Sequence, residues 1–298
     1  MTTMIALVGE QPMPVLLPAL HLKPTETILV ATTGTEPVAQ RLTKLIKSSR
    51  YIKVSPYEIM TTIEILDKEL TDKKDIIFNL TGGTKTMAIA AFDLVTRTKS
   101  EFVYFQTEKE TVLKRYQSTE QGLKLKVREK NLPDLISAAD YLNAHLPGFR
   151  QEGFSKDEYG QLNIGGKFEK CVYDALKKSG FEVLAGVRPE GVGDQIEIDL
   201  VIRLGNRVGI AEIKMGDREE KGPKSGIDQL STAGGREYLG TYTNKFLIQC
   251  RSLSKRLREL ANKRGVTVID GLTYLEDKPL STKDTERLAN LVKEKLTR

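Results

Sequence analysis

The sequence predicts two α/β domains in one chain, the first on a parallel sheet with helices on its faces, the second a mixed α/β domain. Three observations carry this. The 298 residues, 39% hydrophobic, suffice for about two ordinary domains with a core each. Short β-branched runs alternate with helical stretches over roughly the first 130 residues. A stretch mixing Pro, Gly and charge without periodicity, PGFRQEGFSKDEYGQLNI at 146–163, separates the halves. The expected domains are 1–148 and 149–298.

In order, MIALVG reads as a strand and a Leu-rich segment follows it. TILVATT is the second strand, then a helix over 36–48, strand YIKVS, a helix over 57–70, strand DIIFNL, a helix over 84–97 and strand EFVYFQ. VLKRYQ and LKLKVRE predict a hairpin turning at Gln121-Gly122, before a short helix from Pro133 to His145. The second half opens with a helix over 165–179, then strands near 182–188, 195–204 and 207–214. A helix over 221–239, strand 244–250, a helix over 254–264, strand 266–270 and a helix from 281 complete the order.

Composition narrows the chemistry. No apolar run approaches the roughly 18 residues that cross a bilayer, and the start shows neither a basic leader nor a small-residue cleavage site, so a cytoplasmic protein with no membrane partner is expected. Cys171 and Cys250 are the two cysteines and lack CxxC spacing, which excludes a disulfide framework and a cysteine zinc site. The two histidines, His21 and His145, argue against zincin, His-triad and HD-type chemistry. The net charge of +6 favours a polyanionic partner. If the protein cuts a substrate, carboxylates and lysines must carry the work.

The segment QIEIDLVIRL-GN-RVGIAEIKM supplies them. Gly205-Asn206 suits a two-residue hairpin turn, since glycine takes positive φ without steric cost. With Leu204 facing Arg207, antiparallel register sets Asp199 opposite Glu212 and Glu197 opposite Lys214. One face then carries Glu197, Asp199, Glu212 and Lys214, and the other Ile196, Ile198, Leu200, Ile202, Ala211 and Ile213. Facing carboxylates repel unless a proton or cation lies between them, and oxygen ligands suit Mg²⁺ or Mn²⁺. Asp199 and Glu212 are the expected metal ligands, with Lys214 placed to orient or deprotonate a water for metal-assisted phosphodiester hydrolysis. Two further E-x-K triplets start at Glu219 and Glu276, outside any apolar strand.

In the first half, strand DIIFNL runs into TGGTKTMAIAAFDLV, a Gly-rich turn opening a helix, where backbone N–H groups, the helix dipole and Lys85 favour an anion. The loop ATTGTEP at 31–37 also follows a strand and enters a helix, on the same sheet edge. Neither is a Walker A loop and no GxGxxG follows a strand, which argues against ATP hydrolysis and dinucleotide binding.

GGKFEK at 165–170, IEID at 196–199, AEIK at 211–214 and DQL at 228–230 resemble the successive motifs of PD-(D/E)XK nucleases, a restriction-endonuclease-like fold. The resemblance implies a catalytic set of Glu169, Asp199, Glu212, Lys214 and Gln229. NLTGGTKTM with TTGTEP resembles a CARF domain, a Rossmann-like sensor of cyclic oligoadenylate, and the whole order resembles the CRISPR ancillary nucleases of the Can and Card type in type III systems. It implies a ligand site from Gly9, Gln11 and Met13, from Thr33, Gly34 and Thr35, and from Asn79, Thr81, Gly82, Gly83, Thr84 and Lys85. It further implies cyclic tetra-adenylate as allosteric activator, a homodimer, and a nucleic acid substrate: single-stranded RNA or DNA, or nicked duplex DNA. Basic stretches, RSLSKRLREL from Arg251 and KGPK from Lys221, are candidates to hold the strand. The competing readings are a stand-alone restriction-like or repair nuclease whose first domain only dimerises, and a non-catalytic ligand-sensing regulator.

Overall fold

The structure, a computed structural model, describes residues 2–106, 111–191, 196–216, 221–235, 238–276 and 278–297. The chain forms two compact units, Met1–Leu135 and Ile136–Arg298.

The first unit runs β1 (Thr2–Leu7), α1 (Met13–Leu22), β2 (Glu26–Ala31), α2 (Glu36–Leu45), β3 (Ser49–Lys53), α3 (Ile59–Leu70), β4 (Asp75–Asn79), α4 (Lys85–Arg97), β5 (Glu101–Gln106), β6 (Val112–Thr119) and β7 (Gly122–Lys130). The sheet order is β3-β2-β1-β4-β5-β6-β7, with the first five strands parallel and the hairpin added antiparallel. Near-continuous apolar runs in β1 and β2 are buried on both faces, as a parallel sheet between helices requires. Ile5, Leu7, Ile28, Val30 and Phe78 pack with Leu66, Met87, Ala91 and Leu94 from α3 and α4. Chain direction across the sheet reverses at β1, so the loops leaving β1 and β4 diverge at a topological switch point.

The Leu-rich segment is a helix despite Pro18 in its interior. A proline there cannot donate to the carbonyl of residue 14, and the buried Asn79 side chain supplies the missing bond, its Nδ2 donating to Pro14 O at 2.9 Å.

The second unit runs α5 (Ala138–His145), β8 (Phe149–Gln151), α6 (Ile164–Lys178), β9 (Glu182–Pro189), β10 (Ile198–Leu204), β11 (Arg207–Lys214), α7 (Lys221–Ala233), β12 (Asn244–Gln249), α8 (Lys255–Lys263), β13 (Val266–Ile269) and α9 (Thr282–Thr297). Its sheet order is β13-β12-β11-β10-β9-β8, parallel from β11 to β13 and antiparallel from β8 to β11. Phe168, Val172 and Leu176 of α6 and Leu288, Val292 and Leu296 of α9 bury Leu200, Ile202, Ala211 and Ile213 on one face.

Three expectations shift here. The helix expected from Pro133 begins only at Ala138, because Ser137 caps it in a reciprocal box with Asp140. It sits in the second unit: Ala138 N donates to Glu182 Oε1 at 3.0 Å and Tyr141 Oη to Leu239 O at 2.9 Å. The units therefore divide at Leu135 and Ile136, ahead of the 148/149 boundary read from the sequence. Residues 146–163 carry strand β8 and a bridge from Lys156 to Leu162. The α7 helix stops at Ala233 rather than 239, where Gly234-Gly235 offers the backbone no reason to continue.

Candidate active site

The hairpin forms in the expected register, from Leu204 with Arg207 to Leu200 with Ala211, and Gly205 at φ 62° makes the turn. One step beyond lie Asp199 and Glu212. The ladder ends there, and the Asp199 carboxylate takes the Ile213 N–H at 2.6 Å instead of a backbone partner. The apolar back is buried throughout, from Ile196 at 7% exposure to Leu200 at 0%. The front turns apolar as well, since Val201, Val208 and Ile210 are buried, so the charged part is confined to the strand ends.

Lys214 Nζ lies 2.5 Å from Glu212 Oε1. Glu197, read from the sequence as facing Lys214, instead pairs with Arg188 on β9 at 2.6 Å, because β9 is the nearer neighbour of that end of β10. Glu169 is 7% exposed and reaches the cluster from α6, where Ser155 N and Oγ donate to its two oxygens at 3.0 and 2.7 Å. The GGKFEK motif has a steric reason: a Cβ on Gly166 would lie 1.9 Å from Ser155 O, so only glycine lets the helix start close enough for that clasp. Gln229 is exposed on α7 and makes no hydrogen bond to the acidic pair or Lys214 among the described residues. The Glu276 triplet ends in an ion pair with Lys167, and the Glu219 triplet lies outside the described residues. Of the basic stretches, Arg258 is engaged with Asp270, Lys224, Lys255 and Arg256 are exposed, and the Lys221 side chain lies outside the description.

Sequence reasoning passed over two residues. Gly226 on α7 presses onto the site: a Cβ there would lie 3.1 Å from Glu212 Cγ and 3.0 Å from Leu247 Cδ1. Its signal was a glycine inside a helix, which costs about 1 kcal/mol against alanine and needs a reason. Gln249 ends β12 in register with Lys214, and the polar residue closing NKFLIQ was its signal.

Burial foremost, then the neighbouring charges of Glu212 and Glu169, holds the Asp199 carboxyl well above the usual range. Burial likewise pushes Glu212 up, although the Lys214 ammonium opposes it. For Lys214 burial disfavours the charge, but the Glu212 carboxylate outweighs it and the amine titrates above its ordinary value. The cluster thus has more buried acid than its one lysine compensates. That deficit fits a divalent cation, and the donor set is all oxygen. Among the described residues no group of three or more His, Cys, Asp or Glu gathers at ligand spacing.

A stability consequence follows. A carboxyl whose folded pKa is raised stabilises the fold at low pH, and loses that contribution as pH rises through its unfolded and then its folded value. Asp199→Asn is therefore expected to raise the melting temperature of the metal-free protein at pH 8 by about 2–4 °C per kcal/mol recovered, with the gain shrinking toward pH 4. Calorimetric scans at both pH values check this; equal or lower stability at pH 8 contradicts it.

In the first unit three loops leave the carboxyl ends of β1, β2 and β4. The first and third touch backbone to backbone: a Cβ on Gly82 would lie 2.2 Å from Leu7 O, and one on Gly9 would lie 3.3 Å from Gly83 N. Gly83 takes φ 77°, which favours glycine. Asn79 Oδ1 accepts from Thr81 N and Oγ1 at 3.1 and 2.7 Å, while its amide holds α1, so this residue braces the loops from beneath. Met13 is 5% exposed and Asn79 0%, which places both in the wall rather than at the surface. Thr84 caps α4 through Met87 N and donates to Pro56 O at 2.9 Å, and Thr35 Oγ1 accepts from Thr32 N at 2.9 Å. Thr33, Gly34 and Lys85 are exposed at the rim, with Gly9, Gln11 and Gly82 part-buried beside them. The one acid of the second loop, Glu36, pairs with Lys53 at 2.9 Å and accepts from Tyr51 Oη at 3.1 Å.

Residues 3–141 match the family model of the Card1 CARF domain. No curated protein matches the chain. Can2 from Sulfobacillus thermosulfidooxidans, solved in complex with cyclic tetra-adenylate, is similar at TM-score 0.75 and 18% identity, covering 98% of this chain and 99% of that one. Protein VC1899 from Vibrio cholerae is similar at TM-score 0.72 and 12% identity, over 99% and 98%. A type III CRISPR defence DNA nuclease activated by cyclic oligoadenylate matches at TM-score 0.57 and 18% identity, over 85% of this chain and 46% of that one. No helix among the described residues is long and apolar enough to cross a membrane.

Proposed function

Starting from a chain whose residues 3–141 match the Card1 CARF domain model and whose fold is similar to that of Can2, we propose that it is an endonuclease of type III CRISPR defence switched on by cyclic tetra-adenylate. The observation that carries the catalytic half is the half-buried Asp199 and the buried Glu212 beside Lys214 at a strand end. Asp199 and Glu212 would hold the cation, Mg²⁺ or Mn²⁺, which when bound neutralises charge on a phosphodiester and makes a water more acidic. Lys214, an ammonium at neutral pH because Glu212 raises its pKa, orients the attacking water and the scissile phosphate. Glu169, clasped by Ser155, sets the field around the pair rather than giving its oxygens away. Gln229 stands on α7 where it can meet substrate, and its role belongs to the strand-bound state.

At the other end, the exposed Gly34, the half-buried Gly82-Gly83 turn and the exposed Lys85 ammonium suit the phosphates of a cyclic oligoadenylate. A ring of four equal nucleotides has rotational symmetry, so two copies of this rim in an isologous dimer present matched halves to it. Activation then requires that the ring bind one arrangement of the dimer more tightly than the other.

The test is cleavage of single-stranded RNA, single-stranded DNA, and intact or nicked plasmid, with and without cyclic tetra-adenylate and with Mg²⁺, Mn²⁺ or chelator. Cutting is expected only when ring and metal are both present. Ring-independent cutting would assign the chain to stand-alone nucleases, and ring binding with no cutting under any metal would make it a regulator.

A further inference from the structure

Gln249 is buried at 1% exposure at the end of β12, in parallel register with Lys214 on β11. Residues paired in this way project to the same face, about 4.8 Å apart across the strands. The face is fixed independently, because Gly226 of α7 meets Glu212, Lys214 and also Leu247, which is two residues before Gln249 and in register with Glu212. The Gln249 amide therefore lies on the catalytic side, next to the lysine. Its orientation is set by Nε2, which donates to Arg251 O at 2.7 Å. This leaves Oε1, buried and with no donor among the described residues. A buried carbonyl without a donor is destabilising, so such a group on a catalytic face calls for a partner that arrives during function.

Lys214 carries three N–H donors, of which Glu212 engages one in this structure. We propose that Gln249 is a positioning residue whose Oε1 accepts from the Lys214 ammonium and holds it over the acidic pair when Glu212 turns to other partners. This rests on the reading that Lys214 acts in cleavage. Without a second acceptor, a flexible four-carbon side chain would lose its placement each time Glu212 is engaged elsewhere.

Two variants separate positioning from simple tethering of the Arg251 carbonyl. Gln249→Met removes both acceptor and donor, and Gln249→Glu keeps an acceptor at the same reach while losing the donor to Arg251. With Mg²⁺ and cyclic tetra-adenylate saturating, Gln249→Met is expected to lower kcat about 10- to 100-fold with KM within about twofold, the scale of losing a supporting contact behind a catalytic group. Gln249→Glu should recover most of that loss. A second readout needs neither metal nor turnover: in a Glu212→Ala background, where the amine has lost its carboxylate partner, acylation of Lys214 followed by mass spectrometry should run faster with Gln249→Met than without it. Equal kcat losses in both variants, or unchanged kcat and unchanged Lys214 labelling in Gln249→Met, would overturn the proposal. Lys214→Ala run alongside distinguishes the two layers: if it cuts like the parent, the assignment of Lys214 fails, and if it is inactive while Gln249→Met is unimpaired, only the role of Gln249 fails.

Discussion

Glu212→Ala is expected to lower nucleic acid cleavage by about 10²–10⁴-fold while leaving binding of cyclic tetra-adenylate unchanged. The change removes half of the carboxylate pair and the 2.5 Å partner of Lys214, so both the cation's donors and the amine's placement are lost together. Deleting a buried acid from an over-acidic cluster should not unfold the second unit, because Asp199 and Glu169 then repel one fewer charge. Ring binding by calorimetry and cleavage of a labelled strand on the same preparation check this. Parent-like cleavage would remove Glu212 from the chemistry, and loss of ring binding would mean that the variant had damaged more than its own unit.

Gly82→Ala is expected to weaken ring binding at least tenfold and to lower the stability of the first unit. Its Cβ would lie 2.2 Å from Leu7 O at the end of β1 and 3.0 Å from Gly9 N in the loop after it, both backbone atoms, which cannot rotate away. The loops after β1 and β4 must therefore part, at an overpacking cost of about 1–3 kcal/mol. Thermal scans and ring titration measure both effects. Gly34→Ala is the control for the thermal scan alone, since the nearest atom to its Cβ is Thr32 Oγ1 at 3.8 Å and the fold has room for it. A Gly82→Ala protein that melts and binds like the parent would contradict the close approach.

Much of this architecture was legible in the sequence because local and tertiary signals agreed. Alternation of β-branched runs with helical stretches gave the parallel sheet, and Gly205-Asn206 fixed the hairpin register without any tertiary information. Where the reading slipped, a non-local contact decided. The Leu-rich helix tolerates Pro18 because Asn79, sixty-five positions from Pro14, replaces the lost donor. Residues 138–145 look like a tail of the first domain until Glu182 and Leu239 claim them. Glu197 faces Lys214 on paper but has Arg188 on the strand next to it, since a hairpin register says nothing of the third strand. Gly226 and Gln249 left only faint local signals for the same reason: each matters through a neighbour that the local pattern does not name.

The central claim is that Asp199 and Glu212 form a cation site beside Lys214. Crystals of the protein grown with Mn²⁺ and measured at the manganese absorption edge test it most directly. An anomalous peak is expected between the two carboxylates, about 2.0–2.2 Å from an oxygen of each, and should be lost in Asp199→Asn. A peak elsewhere in a protein that still cleaves, or cleavage that survives with no peak there, would contradict it.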